Sequence, residues 1–409
     1  MINKLQQTRL GAWPHAGHCR ALKQTAALLL GLVTLPLLQA QTFTTLYSFT
    51  GGSDGGEPVA GVIQDPAGNL YGTTYLGGTT NCVYGDGCGT VFKIDTAGNE
   101  TVLHSFTGPD GAYPYTPLTR DKAGNIYGTT YYGGSVGLGA VFKLDTAGNE
   151  TVLYSFTGGP DGCEPDQGLV IDKSGSVFGT TIGLDCRNNG TIFKVDSAGK
   201  FTILHGFAGA PTDGASPSYG HLIMDKYGSL YGVTTGGGSS GCNQPYGCGV
   251  LYELNRNGTF TVLHSFAGGT SDGCFPFGSV AMDEAGNLYG TTFGCGSGNV
   301  GTIWKVSKKG SETILHNFSV SDPGGCNPFA GVVTGGLESA NVYGVTAGCD
   351  YSLWKLTSAE TKLAQLYSFD LTGGGPPMGE AWQNAKGTLY GTTSYGSTYN
   401  YGTVWKYVP

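Results

Sequence analysis

The chain has 409 residues, of which 73 are glycine and only 12% are charged. The glycines lack the every-third spacing of collagen, and an aromatic content of 11% argues against an intrinsically disordered chain. The formal net charge is −8, and an acidic surface disfavours nucleic acid and anionic membranes as partners.

Residues 1–40 have the composition of an export signal. The basic residues come first, at Lys4, Arg9, Arg20 and Lys23. An apolar run over 26–38 follows, and Ala40 offers a signal peptidase site. The alternative is an uncleaved membrane anchor, although the run is too short to span a bilayer comfortably. Without this segment the chain holds 17 basic against 29 acidic residues. We expect a secreted, periplasmic or cell-envelope protein whose mature chain has no membrane span.

An aromatic residue followed by glycine recurs seven times inside a short apolar run. The aromatic positions are Tyr71, Tyr127, Phe178, Tyr231, Tyr289, Tyr343 and Tyr390. A period of about fifty residues that contains several strand-like runs is typical of a ring of small sheets.

The repeat over 57–106 shows the predicted strands. Runs rich in β-branched and aromatic residues cover 59–64, 69–75, 90–94 and 101–106. The first and second runs, and the third and fourth, are joined by four-residue turns with the Asp-to-Gly pattern of a hairpin. The other links are long. The sequence therefore predicts an all-β, seven-bladed β-propeller with four antiparallel strands per blade, tight turns on one face and long loops on the other.

Two rows of aromatic residues support this interpretation. The third strands carry Phe92, Phe142, Phe193, Tyr252, Trp304, Trp354 and Trp405. The fourth strands carry Phe49, Phe106, Phe156, Phe207, Phe266, Phe318 and Phe369. An aromatic residue in every copy predicts that both rows fill the spaces between neighbouring blades.

The two ends of the repeat region predict how the ring closes. A lone fourth-strand phrase stands near the start, and a lone third-strand phrase ends the chain. We expect residues 42–49 to pair with 402–408, because this pairing removes two open sheet edges. Residues 41–409 then form a single domain.

Ten cysteines follow the leader, and they fall into local pairs. The pairs are Cys82 with Cys88, Cys163 with Cys186, Cys242 with Cys248, Cys274 with Cys295, and Cys326 with Cys349. The even number and pairwise placement predict disulfides in an oxidising compartment. Zinc binding is the rival interpretation, but the short C-x2-C spacing is missing.

Internal repetition separates structural from functional polar residues. His104, His205, His264 and His316 share one fourth-strand position, and an aspartate recurs in the crossover loops, so both sets are interpreted as structural. The unrepeated candidates for ligand binding lie near predicted first strands: Glu57, Arg120, Glu164, Asp166, His221 and Glu380. Two interpretations stay open: these residues meet at the channel mouth, where paired carboxylates suit acid–base work on a glycan, or they are simply solvated.

Sequence motifs for catalysis are lacking. Neither a G-x-S-x-G elbow nor an H-E-x-x-H motif is present, and the glycine-rich stretches do not open helices. We therefore expect no catalytic residue set, no cofactor, no metal and a monomer.

The tandem phrase resembles that of a known family. Residues 125–130, 139–143 and 153–156 are similar to the Gloeobacter/Verrucomicrobia (GloVer) repeat of bacterial exported proteins. The resemblance covers nearly all of 42–408 and implies an exported, propeller-like repeat protein without an established activity. Some members, called choice-of-anchor proteins, carry a C-terminal sorting segment, but this sequence stops at Pro409 directly after a strand phrase.

The preferred hypothesis is a binding or scaffolding module for a glycan or an extracellular protein. An extracellular enzyme, such as a lyase, lactonase or glycoside hydrolase with its site at the channel mouth on the long-loop face, is the alternative by analogy of fold. A structural component of the cell envelope is a third hypothesis.

Overall fold

The computed structural model describes residues 41–409 except 79–81, 83–84, 184, 187, 218, 239–240, 243–245, 336–340 and 358–361. The predicted export signal over 1–40 lies outside the described residues. Within the part that is described, no helix is long and apolar enough to cross a membrane.

Seven four-stranded antiparallel sheets form the blades of the propeller. The first, innermost strands are Ile63–Gln64, Thr119–Arg120, Val170–Ile171, Ile223–Met224, Ala281–Met282, Val333–Thr334 and Trp382–Gln383. The second strands are Leu70–Thr74, Ile126–Thr130, Val177–Thr181, Leu230–Thr234, Leu288–Thr292, Val342–Thr346 and Leu389–Thr393. The third strands are Thr90–Ile94, Ala140–Leu144, Thr191–Val195, Val250–Leu254, Thr302–Val306, Ser352–Leu356 and Thr403–Val408. The fourth strands are Glu100–Ser105, Glu150–Ser155, Phe201–Gly206, Phe260–Ser265, Glu312–Asn317, Leu363–Ser368 and, for blade 7, Thr42–Ser48.

Two short ribbons supplement the blades in the long loops. Gly214–Ala215 pairs with Gly236–Gly237, and Gly273–Cys274 pairs with Gly294–Cys295. The predicted all-β, seven-bladed propeller is confirmed.

The ring closes as the sequence predicts. Thr42 pairs with Val408 and Ser48 with Thr403 in an antiparallel register. The N–H of Phe49 extends the ladder by donating to the carbonyl of Gly402 at 3.0 Å. Blade 7 is thus completed by the first strand of the domain, and the chain ends are hydrogen-bonded rather than left as open edges.

The two aromatic rows meet at every junction between blades. Each fourth-strand phenylalanine contacts the third-strand ring of the next blade with centroids 5.0–5.8 Å apart, from Phe49 with Phe92 to Phe318 with Trp354. These rings are almost fully buried, so the predicted packing role is confirmed. The repeated glycine follows from the same packing, because a Cβ at Gly344 would lie 2.3 Å from Cζ2 of Trp354.

All five predicted disulfides form. They are Cys82–Cys88, Cys163–Cys186, Cys242–Cys248, Cys274–Cys295 and Cys326–Cys349. Each braces a long loop or ties the entry of a first strand to the exit of the second strand. Multiple disulfides suit an oxidising environment.

Candidate functional site

The first strands of all seven blades surround a central channel. A cavity in this channel has a volume of about 670 Å³ and reaches the turn residues Asn384 and Ala385. It therefore opens on the face that carries the tight turns. The channel-facing ring is mostly apolar and consists of Ile63, Thr119, Val170, Ile223, Ala281, Val333 and Trp382.

Three polar side chains from different blades meet at the inner end of this cavity. The Ser279 hydroxyl donates to Oε2 of Glu380 at 2.6 Å and lies 2.8 Å from Nδ1 of His221. The backbone N–H of His221 also donates to the same hydroxyl at 2.7 Å. Nδ1 of His221 lies 3.3 Å from Oε2 of Glu380. We call these three residues the neck cluster.

The neck-cluster residues share one position in the ring of first strands. Blade 4 has one extra residue between its conserved proline and its first turn residue. Blade 7 has the same length as the other blades, because the carbonyl of Pro376 accepts the N–H of Ser394 just as that of Glu57 accepts the N–H of Tyr75. In each blade a buried residue directly precedes the first strand. The residue before that one is His221 in blade 4, Ser279 in blade 5 and Glu380 in blade 7. In the remaining blades it is small or cyclic: Gly61, Pro117, Gly168 and Gly331.

The neighbouring backbones explain why most blades need a small residue there. A Cβ at Gly61 would lie 2.4 Å from the carbonyl oxygen of Glu380, and one at Gly331 would lie 2.6 Å from the backbone nitrogen of Ser279. The first strands therefore approach one another closely, and His221, Ser279 and Glu380 are the positions of this ring that carry polar side chains.

The charge balance of the neck cluster favours a protonated histidine. Burial by itself lowers the pKa of His221, but the carboxylate of Glu380 outweighs this effect and raises the pKa above its usual value. Ser279 is buried and held by three hydrogen bonds, so its hydroxyl is not placed as a free nucleophile. Since Nδ1 of His221 faces Ser279 and Glu380, Nε2 is the nitrogen left for the cavity. The side chain of His221 is 34% exposed.

Three of the sequence candidates lie toward the long-loop face. Oε2 of Glu57 accepts a 3.4 Å hydrogen bond from the Tyr395 hydroxyl, and burial raises the pKa of Glu57. Glu164 is buried and accepts the N–H of Asp185 at 3.2 Å, and burial raises its pKa to about 6. Asp166 is buried as well, and its burial raises the pKa of the carboxyl well above the usual range, with the Glu164 charge adding to the effect.

The backbone conformation of Glu57 and Glu164 recurs in other blades, although their acidic side chains do not. Each has a positive φ and precedes a proline, as do Tyr113, Ser216, Phe275 and Asn327. In every one of these blades the N–H donates to a carbonyl of the preceding blade at 2.8–3.0 Å. Their main chains are therefore part of the junction between blades.

Arg120 does not join the other candidates. Its guanidinium lies beside Gly124 in the tight turn of blade 2 and acts electrostatically on Tyr71 of blade 1. Of the six candidates, the structure brings His221 and Glu380 into direct contact, and it brings Glu164 close enough to Asp166 for their charges to interact.

Aromatic rings lie over the other end of the neck. The Tyr219 ring contacts Tyr115, Phe277 and Phe329, with centroids 4.5–5.7 Å apart. A residual cavity of about 30 Å³ separates Tyr115, Tyr219 and Phe329 from Glu380. The described rings thus restrict access from the long-loop face, and the larger opening is on the tight-turn face.

The repeated histidines have a structural role. His104, His205 and His316 place Nε2 2.9–3.2 Å from a crossover-loop aspartate, and Tyr154 bonds its own aspartate in the same way. Each of the predicted loop aspartates also accepts a backbone N–H of its own loop, as Asp161 does from Thr157 at 2.7 Å. The predicted capping role of these aspartates is confirmed.

Comparison with curated protein sequences returns no match. Among solved structures, the chain is similar to a gluconolactonase from Xanthomonas campestris at 13% identity, covering 70% of this chain and 82% of that chain with a TM-score of 0.43. A putative 6-phosphogluconolactonase from Bacteroides uniformis is 14% identical, with coverages of 75% and 83% and a TM-score of 0.48. A luciferin-regenerating enzyme is 12% identical, with coverages of 90% and 95% and a TM-score of 0.46. These likenesses are distant, and no functional argument follows from them.

The family assignment rests on the repeat itself. The model of the Gloeobacter/Verrucomicrobia repeat matches residues 31–183, 159–352 and 246–409, which together cover most of the sequence. The chain is therefore a member of the Gloeobacter/Verrucomicrobia repeat family.

Proposed function

We propose that this propeller is a binding module that holds a small ligand in the cavity on its tight-turn face. The observation that carries the proposal is the coincidence of a cavity of about 670 Å³ with the neck cluster at its inner end. Ligand sites are commonly concave, mostly apolar and about 300–1,000 Å³ in volume, with a few polar groups that orient the ligand.

The walls and the inner end indicate the chemistry of the ligand. Aliphatic side chains and Trp382 favour an apolar body, since burial of each CH₂ group contributes about 0.8 kcal/mol. At the inner end, Nε2–H of a protonated His221 is a donor. Because Glu380 balances the charge of His221, an uncharged acceptor such as a carbonyl or hydroxyl oxygen suits the site better than an anion.

Native mass spectrometry with a library of uncharged small molecules that carry one acceptor group tests this proposal. Ala281→Phe would fill the channel-facing ring and should abolish binding of any hit. Ala364→Phe is the matched control, because Ala364 is exposed on an outer strand. Binding that survives Ala281→Phe unchanged would place the ligand elsewhere.

An enzyme is the second candidate, and one observation favours it. Nδ1 of His221 is oriented by Ser279 and Glu380, so that Nε2–H of the protonated ring has the placement of a general acid. Turnover of a bound compound that is lost in His221→Gln, with binding retained, would support catalysis over binding alone.

A glycan or an extracellular protein, as expected from the sequence, would meet the long-loop face instead. Exposed tyrosines support this part of the proposal, since Tyr395 is 43% exposed and its hydroxyl bonds Glu57. Affinity electrophoresis of the wild type and of Tyr395→Ala in gels that contain different polysaccharides tests this part of the proposal. Retardation of the wild type that is reduced in Tyr395→Ala would support it. Unchanged mobility of the wild type in every polysaccharide would exclude glycans from this surface.

Export is the proposed cellular setting. The five disulfides support an oxidising compartment. N-terminal sequencing of the protein from its native host would show whether the chain begins after Ala40.

A further inference from the structure

The junction between blades 4 and 5 brings together an imidazole and two carboxylates that the sequence separates. His264 is the penultimate residue of the fourth strand of blade 4, Asp272 lies in the crossover loop, and Glu312 opens the fourth strand of blade 5. Nε2 of His264 lies 3.4 Å from Oδ2 of Asp272 and 3.5 Å from Oε2 of Glu312. The three donor atoms lie within 4.8 Å of one another.

We propose that His264, Asp272 and Glu312 bind a divalent transition-metal cation of the zinc class. In a tetrahedral zinc site with metal–ligand bonds of about 2.0–2.1 Å, neighbouring donor atoms are about 3.3–3.4 Å apart. The two measured separations are close to this value. They are too long for strong hydrogen bonds between an imidazole nitrogen and a carboxylate.

Two buried atoms of the cluster lack a hydrogen-bond partner among the described residues. They are Nε2 of His264 and Oε1 of Glu312. Buried polar atoms of this kind are costly unless a bound ligand, a proton or a water molecule satisfies them. The side chains of His264, Asp272 and Glu312 are 18%, 10% and 14% exposed, so a cation there would be shielded from bulk water while the rim remains open to entry.

The charge of the cluster supports a cation. Asp272 and Glu312 place two carboxylates beside one imidazole at this junction. A divalent ion would compensate both carboxylates and would use the neutral form of the histidine. Water would complete a three-ligand site, which is the usual arrangement of an open zinc centre.

The other junctions show why this one differs. Where the next blade supplies an aromatic residue, it stacks on the fourth-strand ring, as Phe260 does on His205 at 3.9 Å. At the junction after blade 1, Glu150 is present, but His104 makes a 2.9 Å hydrogen bond with Asp110. That bond would have to break before a metal could bind, so we expect weaker binding there.

Isothermal titration with Zn²⁺, after treatment of the purified full chain with EDTA, tests the proposal. We expect one tight site per chain and a higher melting temperature with Zn²⁺. Glu312→Gln should weaken binding at this site by at least tenfold. The matched control is Glu100→Gln. Glu100 opens a fourth strand as Glu312 does, but the residue of the preceding blade that faces it is Tyr47 instead of a histidine. This variant should leave Zn²⁺ binding unchanged.

Circular dichroism and the melting temperature in EDTA show whether each variant folds, so loss of binding can be separated from loss of structure. His264→Gln is a second variant, which removes another proposed ligand of the same site. Absence of a tight site in the wild type, or equal Zn²⁺ affinity in the wild type, Glu312→Gln and His264→Gln, would overturn the proposal.

Discussion

The hydroxyl of Ser279 lies 2.6 Å from Oε2 of Glu380, although 101 positions separate the two residues in the chain. Gly331 of blade 6 stands between their blades and leaves room for the contact, because it has no side chain. The polar bridge therefore spans blades 5 and 7 at the narrowest part of the channel. Its existence depends on ring closure, so the candidate site is a product of the whole ring.

Loss of the Glu380 charge should destabilise the protein in a pH-dependent way. The carboxylate raises the pKa of His221 in the folded state, so its contribution is fully present below the unfolded pKa of about 6.5 and is lost as the pH rises through the raised value. Glu380→Gln should therefore lower the melting temperature more at pH 6 than at pH 9. Glu284→Gln, at an exposed turn position, is the control. An equal loss at both pH values would mean that packing, and not the charge of His221, is what Glu380 provides.

A methyl group at Gly278 should disrupt the neck of the channel. Its Cβ would lie 2.0 Å from the backbone nitrogen of Gly331, and rigid backbone cannot move aside easily. We expect Gly278→Ala to cost at least about 1–3 kcal/mol in unfolding free energy, as overpacking does. Gly206→Ala is the matched control, since a Cβ at Gly206 meets nothing within 4 Å. Urea denaturation of both variants compares them, and equal stability would show that the first strands can separate.

The periodic part of this architecture was predictable, because the same physical problem is solved seven times. Trp405 and Phe369 must fill a junction just as Phe92 and Phe49 do, so one repeat explains all of them. The neck cluster follows a different logic. His221 and Glu380 stood out because they are unrepeated, but their contact joins blades 4 and 7 and arises only when the ring closes.

Ser279 was missed, since a serine in a small-residue position carries no signal of its own. Aligning the first strands of all seven blades from the buried residue backwards would have placed Ser279, His221 and Glu380 in one ring. The contribution of Glu312 to the cluster around His264 was missed for a related reason. The sequence comparison counted one aspartate per blade and did not consider Glu312, which the neighbouring blade supplies.

Closure of the ring should depend on the stacking of Phe43 on Tyr367. The two rings are parallel within 5° at a centroid distance of 3.7 Å, and they join the first strand of the domain to blade 6. Phe43→Ala should cost about 2 kcal/mol and should speed hydrogen exchange in Thr42–Ser48. Phe201→Ala removes the equivalent stack on Tyr154 inside the ring. This control should cost a similar amount without faster exchange in Thr42–Ser48, and faster exchange there in both variants would argue against a special role of the closing strand.

Replacement of Glu100 by glutamine should stabilise the protein at neutral and alkaline pH but not at pH 4. Burial raises the pKa of Glu100 to about 7, with a smaller effect from Asp54, and its Oε1 has no hydrogen-bond partner among the described residues. The folded state binds this proton more tightly than the unfolded state, so stability falls as the pH rises from about 4.5 through 7. At pH 4 the carboxyl is neutral, like the amide, and Glu100→Gln should melt as the wild type does. At pH 8 the variant should melt at a higher temperature, because it avoids ionising a buried group. Calorimetry at the two pH values is the measurement, and a shift of the same size at both would show that the effect comes from packing against Tyr47 rather than from the charge.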